Sequence, residues 1–257
     1  MSEGGSALAW VDLNGRKQGG RGWIGGNWTG AQFLARDEGT ESDDSVLVYV
    51  GAVWTAGDRK DRGEIRITAL TKVGDRPVLH EQFDYPDVVG RQPITDAMDG
   101  LAVHNGLIVY SQTSLNQVVF VRANKVVGKA AMPSPRGLAF VREGRLLVLT
   151  DHTLQRIELS GENSLGARVN VLTELDDPEG ITVDTRGDIY VAERGTHHQV
   201  KRLSTRGIVE CTYGTPGPVK AGIFDPGHLN SPRGIAGDTN GRLWATEQDF
   251  QPTRVDV

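Results

Sequence analysis

Short apolar runs separated by turn-forming residues recur along the whole chain, and no apolar stripe with helical spacing persists for three turns. The runs are rich in Val, Ile and Leu and are bounded by Gly, Pro, Asn or Asp. One example is the apolar run 189–192, which follows the turn residue Gly187. Runs of this length between turn residues are typical of strands in all-β domains. The pattern therefore predicts a chain built from many short strands.

One motif, a Gly with aliphatic residues followed by a second Gly and a second apolar run, occurs four times. Its first Gly lies at positions 100, 137, 180 and 234, so the intervals are 37, 43 and 54 residues. Self-similarity near 40 residues is typical of propeller blades. The first Gly enters a strand where a side chain would crowd the axis, and the second allows the positive φ of a hairpin turn. The repeat predicts an all-β fold, a β-propeller of four-stranded antiparallel blades, with five to six blades that are not all complete.

The register of this repeat assigns residues 1–257 to a single propeller domain. The expected blades are 28–84, 96–132, 135–175 and 178–230, with partial blades at 1–27 and 232–257. Residues 85–96 read as a linker between two blades. The pattern of a third strand occurs both near the start and near the end of the chain. We therefore expect the chain to be a piece of a longer protein with other domains.

The composition and charge of the chain bear on which classes of partner it binds. The chain has 28 Lys and Arg against 33 Asp and Glu, a net charge of −5, and its basic residues are scattered. Nucleic acid is therefore a disfavoured partner. No apolar run reaches the roughly 20 residues of a membrane helix, and residues 1–7 lack the pattern of a signal peptide. We expect a soluble protein with no membrane span, and the sequence assigns it to no compartment.

The third motif copy, residues 178–203, reads PEGITVDTRGDIYVAERGTHHQVKRL. It resembles the NHL repeat, whose pattern runs Pro-x-Gly-Ile-Ala-Val-Asp, then Gly-x-Ile-Tyr-Val-Ala-Asp, then Gly-Asn-His-Arg-Ile-Gln-Val-Phe. Glu193 and Glu247 stand where the repeat has Asp, and His198 matches its His. NHL repeats usually form six-bladed propellers, which include partner-binding modules, RNA-binding modules and enzymes such as peptidyl-hydroxyglycine amidating lyase. The resemblance to bacterial-type NHL-containing proteins implies a scaffold, and it does not imply a reaction.

The residue before each repeat glycine is expected at the mouth of the central channel, because each first strand begins there. These residues are Asp99, Arg136, Glu179 and Arg233. Opposite charges that meet at one opening either neutralise one another in a ring of ion pairs or bind a zwitterionic or hydroxyl-rich ligand. We name this opening the channel mouth.

Two loops near the channel mouth add candidate ligand-binding residues. The long loop 221–232 contains Asp225, His228 and Asn230, and the equivalent loop after residue 247 contains the aromatic Phe250. Asp and Asn in such a loop are also typical of turns closed by a side chain. His228 and Phe250 complete the predicted ligand-binding set.

These residues predict a non-enzymatic NHL-type scaffold that binds a protein, peptide or glycan on its loop-rich face. No catalytic residue, metal ligand or cofactor is assigned. The alternative is a metal-dependent hydrolase or lyase of the lactonase or amidating-lyase type, in which Glu179, Asp99 and His228 act at the channel mouth with Ca²⁺ or Zn²⁺. The four positions before the repeat glycines contain no His, which weighs against that chemistry.

Overall fold

The computed structural model describes the backbone of residues 7–11, 17–22, 28–37, 45–54, 63–73, 76–80, 91–94, 98–217, 225, 227–238, 240–247 and 255–257. Side chains are described for residues 33–37, 98–217, 225, 227–238, 240–247, 255 and 257. The strands are β1 (Ala7–Val11), β2 (Lys17–Gly22), β3 (Trp28–Arg36), β4 (Ser45–Trp54), β5 (Gly63–Val73), β6 (Arg76–His80), β7 (Arg91–Ile94), β8 (Gly100–His104), β9 (Leu107–Gln112), β10 (Gln117–Arg122), β11 (Lys125–Ala131), β12 (Leu138–Phe140), β13 (Leu146–Leu149), β14 (Leu154–Leu159), β15 (Leu165–Leu172), β16 (Pro178–Val183), β17 (Ile189–Glu193), β18 (Gln199–Leu203), β19 (Val209–Tyr213), β20 (Pro232–Gly237), β21 (Leu243–Glu247) and β22 (Val255–Asp256).

Strands that follow one another in sequence pair antiparallel, and the result is a series of separate sheets. Three sheets have four strands, β8–β11, β12–β15 and β16–β19, and β20–β22 form a sheet of three. Strands β3 to β7 make a five-stranded sheet, and β1 pairs with β2. The helical element in the described ranges is the 3₁₀ turn Thr113–Leu115. The all-β prediction is confirmed.

The segment interpreted as a linker, 85–96, contains a strand. Residues Arg91–Ile94 form β7, which pairs with the Gly63–Arg66 half of β5, whereas β6 pairs with the Ala69–Val73 half of the same strand. With 11 residues, β5 is long enough to accept two short strands along one edge. Pro93 within β7 is tolerated because an edge strand leaves part of its N–H groups outside the ladder.

Among the residues whose side chains are described, the buried core consists of four apolar clusters, and each lies between two successive sheets. The second strand of a sheet is the most protected, since neighbouring sheets cover both its faces. Every residue of β9 and of β17 is buried, whereas most of the fourth strand β11 is exposed. The first strands of neighbouring sheets contact one another, so their ends form a common surface.

The repeat glycines mark the closest approach between neighbouring sheets. A Cβ atom added to three of them would lie closer than 3.0 Å to a backbone carbonyl oxygen of the next sheet, a separation that real Cβ atoms essentially never show. The pairs are Gly100 with Arg136, Gly137 with Glu179 and Gly180 with Arg233. The prediction that a side chain would be crowded at these glycines is confirmed. The carbonyl belongs in each case to the residue before the next repeat glycine.

The hairpin between the first two strands is closed by the same side-chain device in two sheets. Asp184 Oδ1 accepts the backbone N–H groups of Arg186 and Asp188 at 2.9 Å. In the next sheet Asp238 Oδ1 accepts those of Asn240 and Arg242, also at 2.9 Å. The glycines of these turns have positive φ, as the hairpin pattern predicts.

We expect acid to weaken the fold through Asp238. Hydrogen bonds, first from the Arg242 backbone N–H and then from its guanidinium and the Trp244 indole N–H, lower the pKa of Asp238 from 3.8 to about 2. The carboxylate therefore stabilises the fold above pH 4, and this contribution is lost as the pH falls towards 2. Thermal melts from pH 5 to pH 2 should show a smaller loss of Tm for Asp238→Asn than for the wild type. Parallel curves for the two proteins would contradict this role.

Candidate functional site

A cavity of about 400 Å³ opens where the first strands begin, and we name it the mouth cavity. Three of the four predicted mouth residues, Asp99, Glu179 and Arg233, line it, although they are far apart in sequence. The fourth, Arg136, directly precedes the lining residue Gly137. The structure thus brings residues from four sheets to one opening.

Glu179 lies between two arginines. Its Oε1 is 2.7 Å from Arg233 Nε, and its Oε2 accepts a hydrogen bond from the Arg194 guanidinium. Arg233 also lies over the ring of Phe33, with its guanidinium carbon 6.0 Å from the ring centroid. Glu179 is only 17% exposed. The two arginines compensate its charge within the protein.

Arg136 extends towards the next sheet. Its guanidinium donates to the Asp177 carboxylate, and it lies 3.3 Å from Asp151 Oδ1. It also donates to the backbone carbonyl of Pro178 at 3.4 Å. Partial burial lowers the pKa of Arg136, but the hydrogen bond and charge of Asp177, helped by Asp151, outweigh burial and raise it. Arg136 is therefore a fixed part of the wall that joins two sheets.

Asp99 differs from the other mouth residues because none of the described ion pairs includes it. Its Oδ2 accepts the backbone N–H of Thr113 at 2.8 Å, at the start of the 3₁₀ turn. Its own backbone N–H donates to the carbonyl of Ser111 at 3.0 Å. The backbone of Asp99 is therefore well fixed, whereas no described cation neutralises its carboxylate.

A ring of aliphatic residues forms the floor of the mouth cavity; Leu34, Ile181 and Ile235 are exposed or half-buried, whereas Leu101 and Leu138 are buried. These residues also line a second, deeper cavity of about 650 Å³ between the first strands, so they lie where the two cavities meet. We name them the aliphatic ring: Leu34, Leu101, Leu138, Ile181 and Ile235. The site therefore combines a charged rim with an apolar floor.

A family model matches residues 175–203, and its description is NHL repeat. The chain contains an NHL repeat. The match covers the sheet β16–β19 up to its third strand and includes Glu179 of the channel mouth. No curated protein sequence matches the chain with significant similarity.

Solved structures with NHL-type folds resemble the whole chain. A nidogen/laminin complex aligns with a TM-score of 0.58 and 13% identity over 95% of this chain and 82% of that one. A streptogramin B lyase aligns with a TM-score of 0.52, 14% identity and coverages of 94% and 83%. The virginiamycin B lyase of Staphylococcus aureus aligns with a TM-score of 0.52 and 15% identity over 95% of this chain and 85% of that one. The predicted β-propeller is confirmed.

The acid that ends the second strand of the NHL repeat has a structural environment. Glu193 is fully buried, and its Oε1 accepts the Asp176 backbone N–H at 2.9 Å and Lys201 Nζ at 2.7 Å. In the next sheet Glu247 accepts the Asn230 backbone N–H at 2.8 Å in the same way. Both acids thus hold the loop that leads into their own sheet.

Of the two loop residues in the predicted ligand-binding set, the structure describes only His228, which does not line the mouth cavity. His228 Nδ1 is 2.7 Å from Asp225 Oδ2, and Asp225 Oδ1 accepts the Gly227 N–H, which closes a side-chain turn. His228 is not among the residues that line either cavity. Phe250 lies outside the described residues. Within the described part of the chain, no group of three or more His, Cys, Asp and Glu is placed to hold a metal ion.

Sequence reasoning missed two features of the mouth. The aliphatic ring had a signal, because the residue after every repeat glycine is Leu or Ile. Arg194, which pairs with Glu179, and Phe33, which lies under Arg233, by contrast have no signal in the repeat, since neither precedes a repeat glycine. Among the described residues there is also no helix of the length and apolar character that a membrane crossing requires.

Proposed function

We propose that the chain is a non-catalytic NHL-type propeller that binds a polypeptide segment of a partner protein at its channel mouth. The observation that carries the proposal is the pairing of Glu179 with two arginines at the mouth. A general acid, a general base or a metal ligand needs a carboxylate that can exchange a proton or bind an ion. Glu179 instead contacts two arginines. Its arrangement suits a rigid recognition surface better than a reaction centre.

A polypeptide suits this surface better than a glycan. Protein interfaces are enriched in Arg and aromatic residues, and their rims carry complementary charges. The mouth cavity presents Arg233, which lies on Phe33, and also the acidic Asp99. One protein of similar fold, nidogen, is seen in a complex with laminin, which supports a protein partner for this fold.

Selection from a random peptide library tests the proposal and needs no candidate partner. We expect a phage-displayed random 12-residue library to yield peptides that bind the propeller. Arg233→Gln should weaken their binding at least tenfold, because it removes a charged anchor from the mouth cavity. The matched control is Arg145→Gln, since Arg145 lies in the turn between β12 and β13, at the other end of β12. Fluorescence polarisation of labelled peptides measures both Kd values.

Two outcomes would overturn this function. One is a set of selected peptides whose Kd changes equally little in Arg233→Gln and Arg145→Gln, because binding would then lie elsewhere. The other is turnover of a panel of lactones and esters that requires added Ca²⁺ or Zn²⁺ and is abolished by Glu179→Gln. That second result would establish the metal-dependent alternative.

A further inference from the structure

Asp99 is a carboxylate of the mouth cavity that none of the described ion pairs includes. Asp99 lines the cavity, and its described contact through the side chain is the hydrogen bond from the Thr113 N–H to Oδ2. Glu179, which also lines the cavity, contacts both Arg194 and Arg233. The described residues therefore leave Asp99 Oδ1 available for a donor from outside the chain.

The aliphatic ring begins two residues after Asp99 in the sequence. Leu101 belongs to the aliphatic ring and is separated from Asp99 only by Gly100. On the neighbouring strand β3, the ring residue Leu34 is 61% exposed, which is unusual for a large aliphatic side chain on an inner strand. A volume of about 400 Å³ lies in the range of small-ligand pockets. The cavity thus offers an apolar floor together with the carboxylate of Asp99.

We propose that the mouth cavity binds a lysine side chain of the partner polypeptide. Its methylene stem packs on the aliphatic ring, and its ammonium group donates to Asp99. Lysine commonly buries its stem along apolar surface and directs its charged end to a polar group. This inference rests on the proposed function, and it adds the chemistry of the partner residue.

The geometry favours lysine over arginine. A guanidinium pairs best with a carboxylate that offers both oxygens to its fork of N–H groups. Asp99 Oδ2 already accepts the Thr113 N–H at 2.8 Å, so a second donor would have to share that oxygen, and only Oδ1 has no described donor. An ammonium group is a compact charge that needs only one oxygen.

The test uses synthetic versions of the selected peptides. In each, one lysine at a time is replaced by norleucine, which keeps the stem and removes the charge, by acetyl-lysine, or by arginine. On the wild-type propeller we expect one lysine position at which norleucine and acetyl-lysine weaken binding at least tenfold, and arginine less. On Asp99→Asn the lysine and norleucine peptides should bind within twofold of each other. The Asn side chain retains an oxygen for the Thr113 N–H.

The matched control is Asp151→Asn, because Asp151 is 52% exposed and lies near Arg136 but does not line the cavity. It should keep the full preference for lysine. If Asp99→Asn melts at a lower temperature than the wild type, the binding of the acetyl-lysine peptides to the wild type still shows whether the charge of the lysine is required. The inference is overturned if the peptides bind at the mouth but lysine replacement changes nothing, or if Asp99→Asn retains the preference. Loss of all peptide binding at the mouth overturns the proposed function instead.

Discussion

Replacing Gly180 by Ala is expected to destabilise the propeller by about 3 kcal/mol, the upper end of the usual cost of overpacking. The new Cβ would lie closer than 3.0 Å to the backbone carbonyl oxygen of Arg233. A backbone oxygen cannot rotate away as a side chain can, so β16 and β20 would have to separate. For a chain of this size, such a loss corresponds to a fall in Tm of about 6–10 °C. Thermal melts and urea unfolding measure it.

The control comes from the next copy of the repeat. Gly234 occupies the same motif position, but an added Cβ would meet only the side chain of Thr246, closest at its Oγ1. Thr246 can change its rotamer at the cost of its two hydrogen bonds with the Gly234 N–H and carbonyl, roughly 1 kcal/mol in all, because Gly234 is exposed and both groups can bond to water. Gly234→Ala should therefore destabilise much less than Gly180→Ala. Equal effects of the two variants would show that close packing between sheets is not the reason for the glycine.

The repeat motif predicted the architecture because its signals are local. A Gly before an aliphatic run and a Gly after a turn act within a few residues, and Gly187 and Gly241 have the positive φ that the pattern requires. The strand β7 was missed because its signal is not local. Its pairing depends on the unusual length of β5, and Arg91–Ile94 alone carries no strong strand pattern.

The candidate site was predictable only in part. The position before each repeat glycine located Asp99, Glu179 and Arg233 at one opening, because equivalent positions of a repeat lie at the same level of a propeller. Which charges cancel could not be predicted, since Glu179 finds Arg194 in its own sheet and Arg233 in the next. Contacts between sheets depend on side-chain directions that no spacing encodes. The distinction between Asp99 and Glu179 therefore required the structure.

Loss of the buried acid in the NHL repeat should have an effect as large as that of Gly180→Ala. Glu193→Ala removes the acceptor of the Asp176 backbone N–H and of Lys201 Nζ from a fully buried position. Breaking a buried ion pair by removing one partner costs about 3–5 kcal/mol. We expect a value near 3 kcal/mol, because Lys201 is 24% exposed and can regain water. Glu193→Gln should cost about half as much, since its amide oxygen can still accept the N–H group.

Two further variants show whether the ion pair or the loop contact of Glu193 dominates. Lys201→Met leaves the buried carboxylate without its cation, and the double variant Glu193→Ala with Lys201→Met should be less destabilised than the sum of the single effects. Glu210→Ala is the exposed control: Glu210 is 45% exposed, and its oxygen is 3.5 Å from Arg202, so we expect a change below about 1 kcal/mol. Strict additivity of the two single variants would mean that the Asp176 N–H, and not Lys201, is the partner that requires an acid at this position. A Glu193→Ala protein as stable as the wild type would contradict both roles.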